Sequence, residues 1–385
     1  MKQICMKIIF LSLLFALLSS CGFLEETAFL SDTSGPEGPP WWNESWTSRE
    51  KLTFDNSAQS IDLASFPVCV RLDSSRISYS QTQDSGQDVR FVDVDGSVLS
   101  HEIEVWDESG ESIVWVEVPL IDAGSDTDSI WIYYGNDSAL DSQDVSGVWS
   151  NGYEMVLHLD ETSGSYTDST GNGHDGEALN DVTRGATGKV GRCAQFDGSD
   201  DYIALHMSYS GQNTIPLLTI GVWFSTNFSG GSYNDNWAFV DFDRSDFYDF
   251  YITGDTGSLE FSTTASAGGT DDFVADTSGL NDGAWHLGWA VYDGTDKAIY
   301  LQGSPDGASL NPHSGTGLGI SSTRWGFIGD GSEATSYDGT RNNIHYEGMV
   351  DEVRISHTVR SENWIRAQYL SMSDSFINFG QEQKR

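Results

Sequence analysis

The chain has 385 residues and a formal net charge of −39 at pH 7. A negative charge of this size repels phosphate backbones and anionic headgroups, so we expect no nucleic-acid partner and no electrostatic docking to membranes. The chain is also rich in aromatic residues (13 Trp, 15 Tyr and 19 Phe), which can fill a large hydrophobic core and exclude a wholly disordered protein.

The N-terminus has the pattern of an export signal. Lys2 and Lys7 precede and flank an apolar stretch, residues 8–18, which is shorter than the roughly 20 residues a helix needs to cross a bilayer. Leu18-Ser19-Ser20-Cys21 then resembles the lipobox of bacterial lipoproteins. This resemblance implies that residues 1–20 are a cleaved signal peptide and that Cys21 carries a diacylglycerol. The alternative is an ordinary secreted protein in which Cys21 is incidental.

The residues after the cysteine indicate where the protein is sorted and how its folded part is connected to the lipid anchor. Gly22 stands where an Asp would retain an enterobacterial lipoprotein at the inner membrane. The resemblance therefore implies an exported protein at the outer membrane or cell surface, attached to the membrane through its lipid anchor only. Residues 21–45 are polar and small and end in a Gly- and Pro-rich run, so we expect the lipidated cysteine to be followed by a flexible tether.

The first folded module is predicted to span residues 46–150. Stretches at 101–106, 112–119 and 129–134 alternate apolar and polar residues and are separated by turn residues. This period of two is typical of successive β-strands, and no ten-residue stretch here shows helical periodicity. The sequence therefore predicts a β-sandwich or barrel.

Several pieces of this module resemble a bacterial domain family of unknown function, DUF2341, which often precedes laminin-G-like modules. The resemblance implies a fold class and a context but no activity, because the family has none assigned. The matching pieces are Trp46 with Arg49, FPVCVRL, DVRFVDVDGSVLSHEIEVW, WVEVP and IWIYYGN.

The second module is predicted to span residues 151–385. Its motifs resemble, in order, those of the LamG-like jelly roll in the concanavalin A-like superfamily. The matching pieces are MVLHLDETSG, DSTGNGHDG, GKVGRCAQFDGSDDYI, LTIGVWFST, GAWHLGWAVYDG and YEGMVDEVRIS.

The predicted fold class is therefore all-β, with two β-sandwich modules, the second a concanavalin A-like jelly roll, after a lipoprotein signal peptide and flexible tether. Ser361 is predicted to cap the one credible helix, with Glu362 in its first turn. Because each half has a complete set of strands and the halves meet in a turn-rich stretch at 146–152, we expect residues 153–385 to fold alone.

A calcium site is the chemistry that the sequence favours most. The loop Asp168–Gly176 combines oxygen-bearing side chains with glycines that let carbonyl groups turn inward, and Ca²⁺ prefers oxygen ligands. LamG-like domains often bind one Ca²⁺ where this loop meets the Asp of the DEVRI strand. The resemblance implies Asp168, Asn172 and Asp351 as ligands, with Asp175 in support. The alternative is a simple turn whose side chains cap backbone amides.

Carbohydrate binding is the natural function for such a module, because sugar rings stack on aromatic side chains while Asp and Asn bond their hydroxyl groups. Residues 233–237 and 241–251 interleave aromatics with carboxylates. The alternative is that these aromatics lie in the core, since period-two strands bury alternate residues. The candidate ligand-binding residues are Trp237, Asp241, Tyr248, Trp325 and Tyr337.

We therefore expect a non-catalytic protein that binds extracellular glycan or a cell-surface partner. One alternative is a structural adhesin with a protein partner. Another is a glycoside hydrolase, since Glu102-x-Glu104-x-x-Asp107 mimics the carboxylate spacing of concanavalin A-like glucanases, although it lies outside the LamG-like region. Cys69 and Cys193 lie in apolar runs of different modules, so we expect buried free thiols.

Overall fold

The computed structural model of the protein describes residues 40–228 and 236–385. The predicted signal peptide, Cys21, most of the predicted tether and residues 233–235 of one predicted ligand-binding stretch lie outside the described residues. The compact unit described below is Trp42–Arg385. Within the described ranges, no helix is long and apolar enough to cross a membrane.

The first module is a sandwich of two antiparallel sheets, as its period-two pattern predicted. One sheet pairs its first, sixth and third strands, and the other is ordered second, fifth, fourth. The core between them includes Leu52, Phe66 and Ile132. The strands are β1 (Ser48–Phe54), β2 (Leu63–Leu72), β3 (Arg90–Asp93), β4 (His101–Val105), β5 (Ser112–Ile121) and β6 (Ser129–Tyr134).

The second module begins after a short helix, α1 (Val145–Val148), and contains fifteen strands among the described residues. They are β7 (Tyr153–Leu157), β8 (Gly176–Leu179), β9 (Thr183–Thr187), β10 (Arg192–Asp197), β11 (Tyr202–Ser210), β12 (Leu218–Ser225), β13 (Asn236–Asp241), β14 (Tyr248–Thr253), β15 (Leu259–Ala265), β16 (Gly269–Val274), β17 (His286–Tyr292), β18 (Lys297–Leu301), β19 (Ser304–Ser309), β20 (Thr323–Ile328) and β21 (Glu347–Ser356).

These strands form two stacked sheets, as a jelly roll requires. The eight-stranded sheet has the order β19-β18-β17-β12-β21-β10-β9, with β7 on β21, and the seven-stranded sheet has the order β16-β15-β14-β13-β20-β11-β8. Side chains alternate between the two faces of each strand. On β11, Ile203 and Leu205 enter the core between the sheets, whereas Tyr202 and Ala204 pack on the other face of the seven-stranded sheet.

The end of the chain returns to the first module, which corrects the predicted boundary of the second module at residue 385. Helix α2 (Glu362–Met372) is followed by β22 (Ile377–Phe379) and β23 (Gln383–Lys384), and both strands pair with β1. The helix begins at the predicted cap, because the Ser361 hydroxyl accepts the Trp364 N–H at 3.2 Å. Trp364 then packs against Phe66 with ring centroids 4.7 Å apart.

The second module is therefore inserted into the first, between β6 and α2. The predicted independent fragment 153–385 would carry a helix and two strands whose partners lie in the missing part. Each of these elements has only two to eleven residues, and their pairing partners are far away in the chain, so local sequence patterns did not reveal the connection.

A third apolar cluster joins the two modules. It combines Trp115 of β5 with Trp223 and Trp289 of the eight-stranded sheet and with Ile365 of α2. The outer face of the eight-stranded sheet is thus covered by the first module, whereas the outer face of the seven-stranded sheet is not. Cys69 and Cys193 are buried and free, as the sequence indicated.

Candidate functional site

The outer face of the seven-stranded sheet has a covered half and an open half. Over β11 and β20, the loop 329–346 packs Ala334 against Tyr202, Ala204 and Phe327. The Trp325 N–H donates to the carbonyl of Ala334 at 3.0 Å, which fixes the loop on the sheet. Over β13 and β14 the face opens into a pocket.

This pocket has a volume of about 340 Å³ and is lined mainly by polar and charged residues. Asp241 of β13 and Asp249 of β14 form its floor, and they are direct cross-strand partners. Directly opposed residues of antiparallel strands have Cβ atoms roughly 5 Å apart, so the two carboxyl groups are close neighbours. The other lining residues are Asp243, Arg244, Ser245, Gly331, Glu333, Asn342 and Ile344.

Strand alternation explains why these carboxyl groups face the pocket. Tyr248 and Phe250 enter the core between the sheets, so Asp249, which lies between them, points to the opposite face. Asp241 takes the same side on the neighbouring strand, where it pairs with Phe327 of β20. The pocket floor is therefore a consequence of the period-two pattern.

The two floor carboxyl groups are buried and poorly compensated. Burial raises the pKa of Asp241 well above its usual range, and repulsion from Asp243 and Asp330 adds to the shift. Burial also raises the pKa of Asp249, with repulsion from Asp241 and Glu260. Oδ1 of Asp249 has no hydrogen-bond partner among the described residues. A carboxyl group that keeps its proton can donate as well as accept a hydrogen bond.

Arginine side chains form ion pairs at the edge of the pocket. Arg324 pairs with Asp243 at 2.5 Å and also with Asp246, while Arg244 pairs with Asp272 at 3.1 Å. These ion pairs fix the loop that follows β13. The pocket thus combines carboxyl, amide and hydroxyl groups at fixed positions, and this chemistry suits a ligand rich in hydroxyl groups.

The structure divides the five predicted ligand-binding residues. Asp241 lies in the pocket, but Trp237 and Tyr248 lie in the core between the sheets, so the prediction that they contact a ligand is corrected. Period-two burial, the alternative weighed from the sequence, accounts for both. Tyr337 stacks on His206 with ring centroids 4.1 Å apart and meets Trp325 edge-on at 5.7 Å, on the covered half of the same sheet face.

The predicted calcium loop is a hydrogen-bonded turn around Asp168. The Asp168 carboxylate accepts the N–H groups of Val156 at 3.1 Å, Thr170 at 3.1 Å and His174 at 3.0 Å. Asp175 accepts the N–H of Asp168 at 2.9 Å. These bonds match the alternative of a turn whose side chains cap backbone amides.

The other two predicted calcium ligands have other partners. Asn172 donates to the carbonyl of Glu154 at 3.0 Å, and Asp351 accepts the N–H groups of Lys189 at 2.7 Å and Val190 at 2.9 Å. Within the described part of the chain, Asp168, Asp175 and Asp351 do not place their carboxylate oxygens within 4.8 Å of one another as one group. The structure does not bring the four predicted ligands together.

Glu102 and Glu104, whose spacing in the sequence mimics that of glucanase carboxylates, do not line the pocket. The two side chains share one face of β4, and that face is buried against the second module. Trp149 donates to Glu102 at 2.6 Å and Trp115 donates to Glu104 at 2.7 Å. A bulge after Ile103 turns the following residues of β4.

Comparison with known protein families agrees with this architecture. A family model described as "Domain of unknown function (DUF2341)" matches residues 85–173. A second, described as "Concanavalin A-like lectin/glucanases superfamily", matches residues 197–366. The protein is thus a two-module β-sandwich protein. It contains one region that matches the DUF2341 model and one that matches the concanavalin A-like model, as the sequence motifs predicted. No curated protein matches the chain.

Similarity to solved structures is low. The binding domain of Paraclostridial Mosquitocidal Protein 1 is 12% identical with a TM-score of 0.45, covering 57% of this chain and 52% of that one. The binding domain of Botulinum Neurotoxin DC in complex with SialylT is 10% identical with a TM-score of 0.44, covering 60% and 52%. The chain spans about half the length of these structures, and values this low carry no argument about its ligand.

Proposed function

We propose that the second module binds a neutral, hydroxyl-rich glycan in the pocket above Asp241 and Asp249, without catalysis. The observation that carries the proposal is the open half of the sheet face, where two buried carboxyl groups and the Asn342 amide line one polar pocket. A negative net charge of this size disfavours anionic polysaccharides, so a neutral ligand fits best. Lipid attachment at Cys21 is part of the proposal and would keep the pocket at the cell surface.

The glycan contact is expected to depend on the unpartnered oxygen of Asp249. Oδ1 is buried beneath the pocket surface, so rotation of the Asp249 carboxyl group would bring it within reach of a sugar hydroxyl, and that bond would satisfy an atom that is otherwise costly to leave without a partner. Asp241 would bond a neighbouring hydroxyl from the adjacent strand. The partly exposed Tyr337 and Trp325 lie on the same sheet face and could extend the contact to a second sugar ring.

A glycan array probed with the purified protein tests the proposal. We expect retention on one class of neutral glycan and about a tenfold loss for Asp249→Asn, since a buried polar group left without its partner costs roughly 1–3 kcal/mol. Asp255→Asn is the matched control, because Asp255 is exposed and does not line the pocket. Equal retention by all three proteins would contradict binding in this pocket.

Glycoside hydrolysis is a second candidate, and one observation favours it. Asp241 and Asp249 face each other across adjacent strands, and retaining glycosidases place two carboxyl groups about 5–5.5 Å apart. Release of reducing ends from a glycan that the protein binds, lost in both Asp241→Asn and Asp249→Asn, would support the enzyme. Binding without release supports the non-catalytic proposal.

A further inference from the structure

The boundary between the modules contains a buried cluster that the proposed function does not use. It consists of Glu102 and Glu104 of β4, His158 directly after β7, and Glu352 of β21. Nδ1 of His158 lies 2.8 Å from Oε1 of Glu352 and 3.5 Å from Oε2 of Glu104. Nε2 of His158 lies 3.3 Å from Oε2 of Glu102. The side chains of Glu104 and Glu352 are fully buried, and that of His158 is 4% exposed.

We propose that Glu104, His158 and Glu352 bind a divalent transition-metal ion such as Zn²⁺ between the two modules. Their candidate donor atoms all lie within 4.8 Å of one another. Metal–ligand bonds of about 2.0–2.2 Å in a tetrahedral arrangement put neighbouring donor atoms about 3.3–3.5 Å apart. The 3.5 Å between Nδ1 of His158 and Oε2 of Glu104 fits that spacing, whereas the 2.8 Å to Oε1 of Glu352 is a hydrogen-bond distance that would lengthen by about 0.5 Å when the ion enters.

The fourth member, Glu102, prepares the histidine for this role. A metal-binding histidine almost always donates its other ring N–H to a carboxylate or carbonyl, which fixes the tautomer. Glu102 stands in that position opposite Nε2, which leaves the lone pair of Nδ1 for the ion. Glu102 itself is held by Trp149 at 2.6 Å and by the Ser169 hydroxyl at 2.7 Å.

A second observation points to a missing ligand. Oε2 of Glu104 faces His158 and accepts the Trp115 N–H, but Oε1 has no hydrogen-bond partner within the described residues, although the side chain is fully buried. Buried carboxylates without a partner are rare because burial penalises their charge. Oε1 is directed toward Gly191, so an ion at this site would supply the missing interaction if Glu104 bound it through both of its oxygens.

The charge balance favours a divalent ion. With a neutral imidazole, the three glutamates are opposed by one cation, Arg354, which pairs with Glu352 and lies 4.2 Å above the Trp115 ring. Two negative charges then remain in a nearly water-free space, and a divalent ion would neutralise them. An imidazole ligand suits Zn²⁺ and disfavours Ca²⁺, so this site is distinct from the calcium site predicted at Asp168.

The ion would connect the modules directly. Glu104 belongs to the first module, whereas His158 and Glu352 belong to the second. Because the ligands come together only when the modules are in contact, binding the ion would stabilise their contact as well as the fold.

Metal content of the full chain tests the inference. Protein purified from zinc-supplemented cells is expected to hold about one equivalent of Zn²⁺ after desalting, since a closed three-ligand site exchanges its ion slowly. Removal with a chelator should lower the melting temperature, and Zn²⁺ should restore it. Co²⁺ added to the metal-free protein should give the visible absorption of a tetrahedral or five-coordinate ion, a signal that a purely structural role would not produce.

Variants separate the metal site from a histidine that is simply protonated between carboxylates. His158→Gln should lose the Zn²⁺ equivalent and the Co²⁺ absorption, while His174→Gln, whose ring pairs with Glu154 outside the cluster, should keep both. If His158→Gln fails to fold, Glu104→Gln can replace it, because its amide oxygen can still accept from Trp115. Wild-type protein that binds neither Zn²⁺ nor Co²⁺, or a folded His158→Gln that retains Zn²⁺, would overturn the inference.

Discussion

The two sheets of the second module each bear buried carboxyl groups on their outer faces, but the surroundings of those groups differ. On the seven-stranded sheet, burial raises the pKa values of Asp241 and Asp249, and repulsion from neighbouring carboxyl groups adds to both shifts. On the eight-stranded sheet, Glu352 pairs with Arg354, and its Oε1 lies 2.8 Å from Nδ1 of His158. Glu352 on the covered face is thus paired with side chains of its own module, whereas Oδ1 of Asp249 on the open face has no hydrogen-bond partner among the described residues.

The largest expected loss of stability comes from removing the C-terminal segment that packs against the first module, which covers the eight-stranded sheet. A chain that ends at residue 360 loses Trp364 and Phe376 from the core of the first module and leaves β1 without β22. We expect the first module to unfold, because losing a large buried aromatic alone costs about 3–5 kcal/mol. Differential scanning calorimetry and limited proteolysis measure this.

A chain that ends at residue 380 is the matched control, because it keeps α2 and β22 and loses only β23. It should unfold as a single cooperative unit, close to the full chain. If both truncated chains unfolded like the full chain, the C-terminal segment would contribute little to the first module.

The next effect concerns the cation of the covered face. Arg354→Ala leaves Glu352 buried without its guanidinium partner, and breaking a buried pair in this way costs about 3–5 kcal/mol. Urea denaturation measures the loss. Arg244→Ala is the control on the open face, where the 46% exposed side chain pairs with Asp272 and should cost at most about 1 kcal/mol. Similar losses for both variants would remove the proposed difference between the faces.

The open face is expected to show a distinct pH dependence. Because its folded-state pKa is raised, Asp249 contributes stability that is fully present below the ordinary pKa of an aspartate and is lost as the pH rises through the raised value. Asp249→Asn cannot ionise, so its melting temperature should increase relative to that of wild type as the pH rises above the ordinary pKa of an aspartate. Asp255→Asn should show a constant difference from wild type, and a constant difference for Asp249→Asn would mean that its pKa is not raised.

The smallest effect concerns the turn that the sequence linked to calcium. Asp168→Ala removes an acceptor for three backbone N–H groups and should cost about 1–3 kcal/mol. Since these bonds occupy the carboxylate, the cost should be the same in EGTA and in millimolar Ca²⁺. A cost that grows in Ca²⁺ would instead support the calcium site that the loop motif predicted.

Strand patterns predicted the fold well where the strands are local and long. The predicted strands at 101–106, 112–119 and 129–134 are found as β4, β5 and β6 within two residues at each end. The same alternation also determines which residues face the pocket. In the run 241–251 the apolar members of the pattern, such as Tyr248, face the core, so Asp249 had to face outward. Aromatic side chains were favoured as sugar-binding residues, and Asp249 was therefore not among the predicted ligand-binding residues.

The inter-module cluster could not be predicted from local patterns. His158 is 56 residues from Glu102 and 194 residues from Glu352. Alternation placed Glu102 and Glu104 on one strand face, but it does not say what covers that face. Glu102 and Glu104 become buried only because the second module packs against that face of β4.

The insertion of the second module between β6 and α2 has a mechanical consequence. The chain passes between the modules twice, near residues 146–152 and 357–361. Two connections restrict the rotation of one module relative to the other more than a single linker would. Tension applied to the pocket while the start of β1 is held would pull that strand lengthwise against β6 on one side and β22 on the other. Many hydrogen bonds would then bear the load together, so this arrangement should resist tearing under flow.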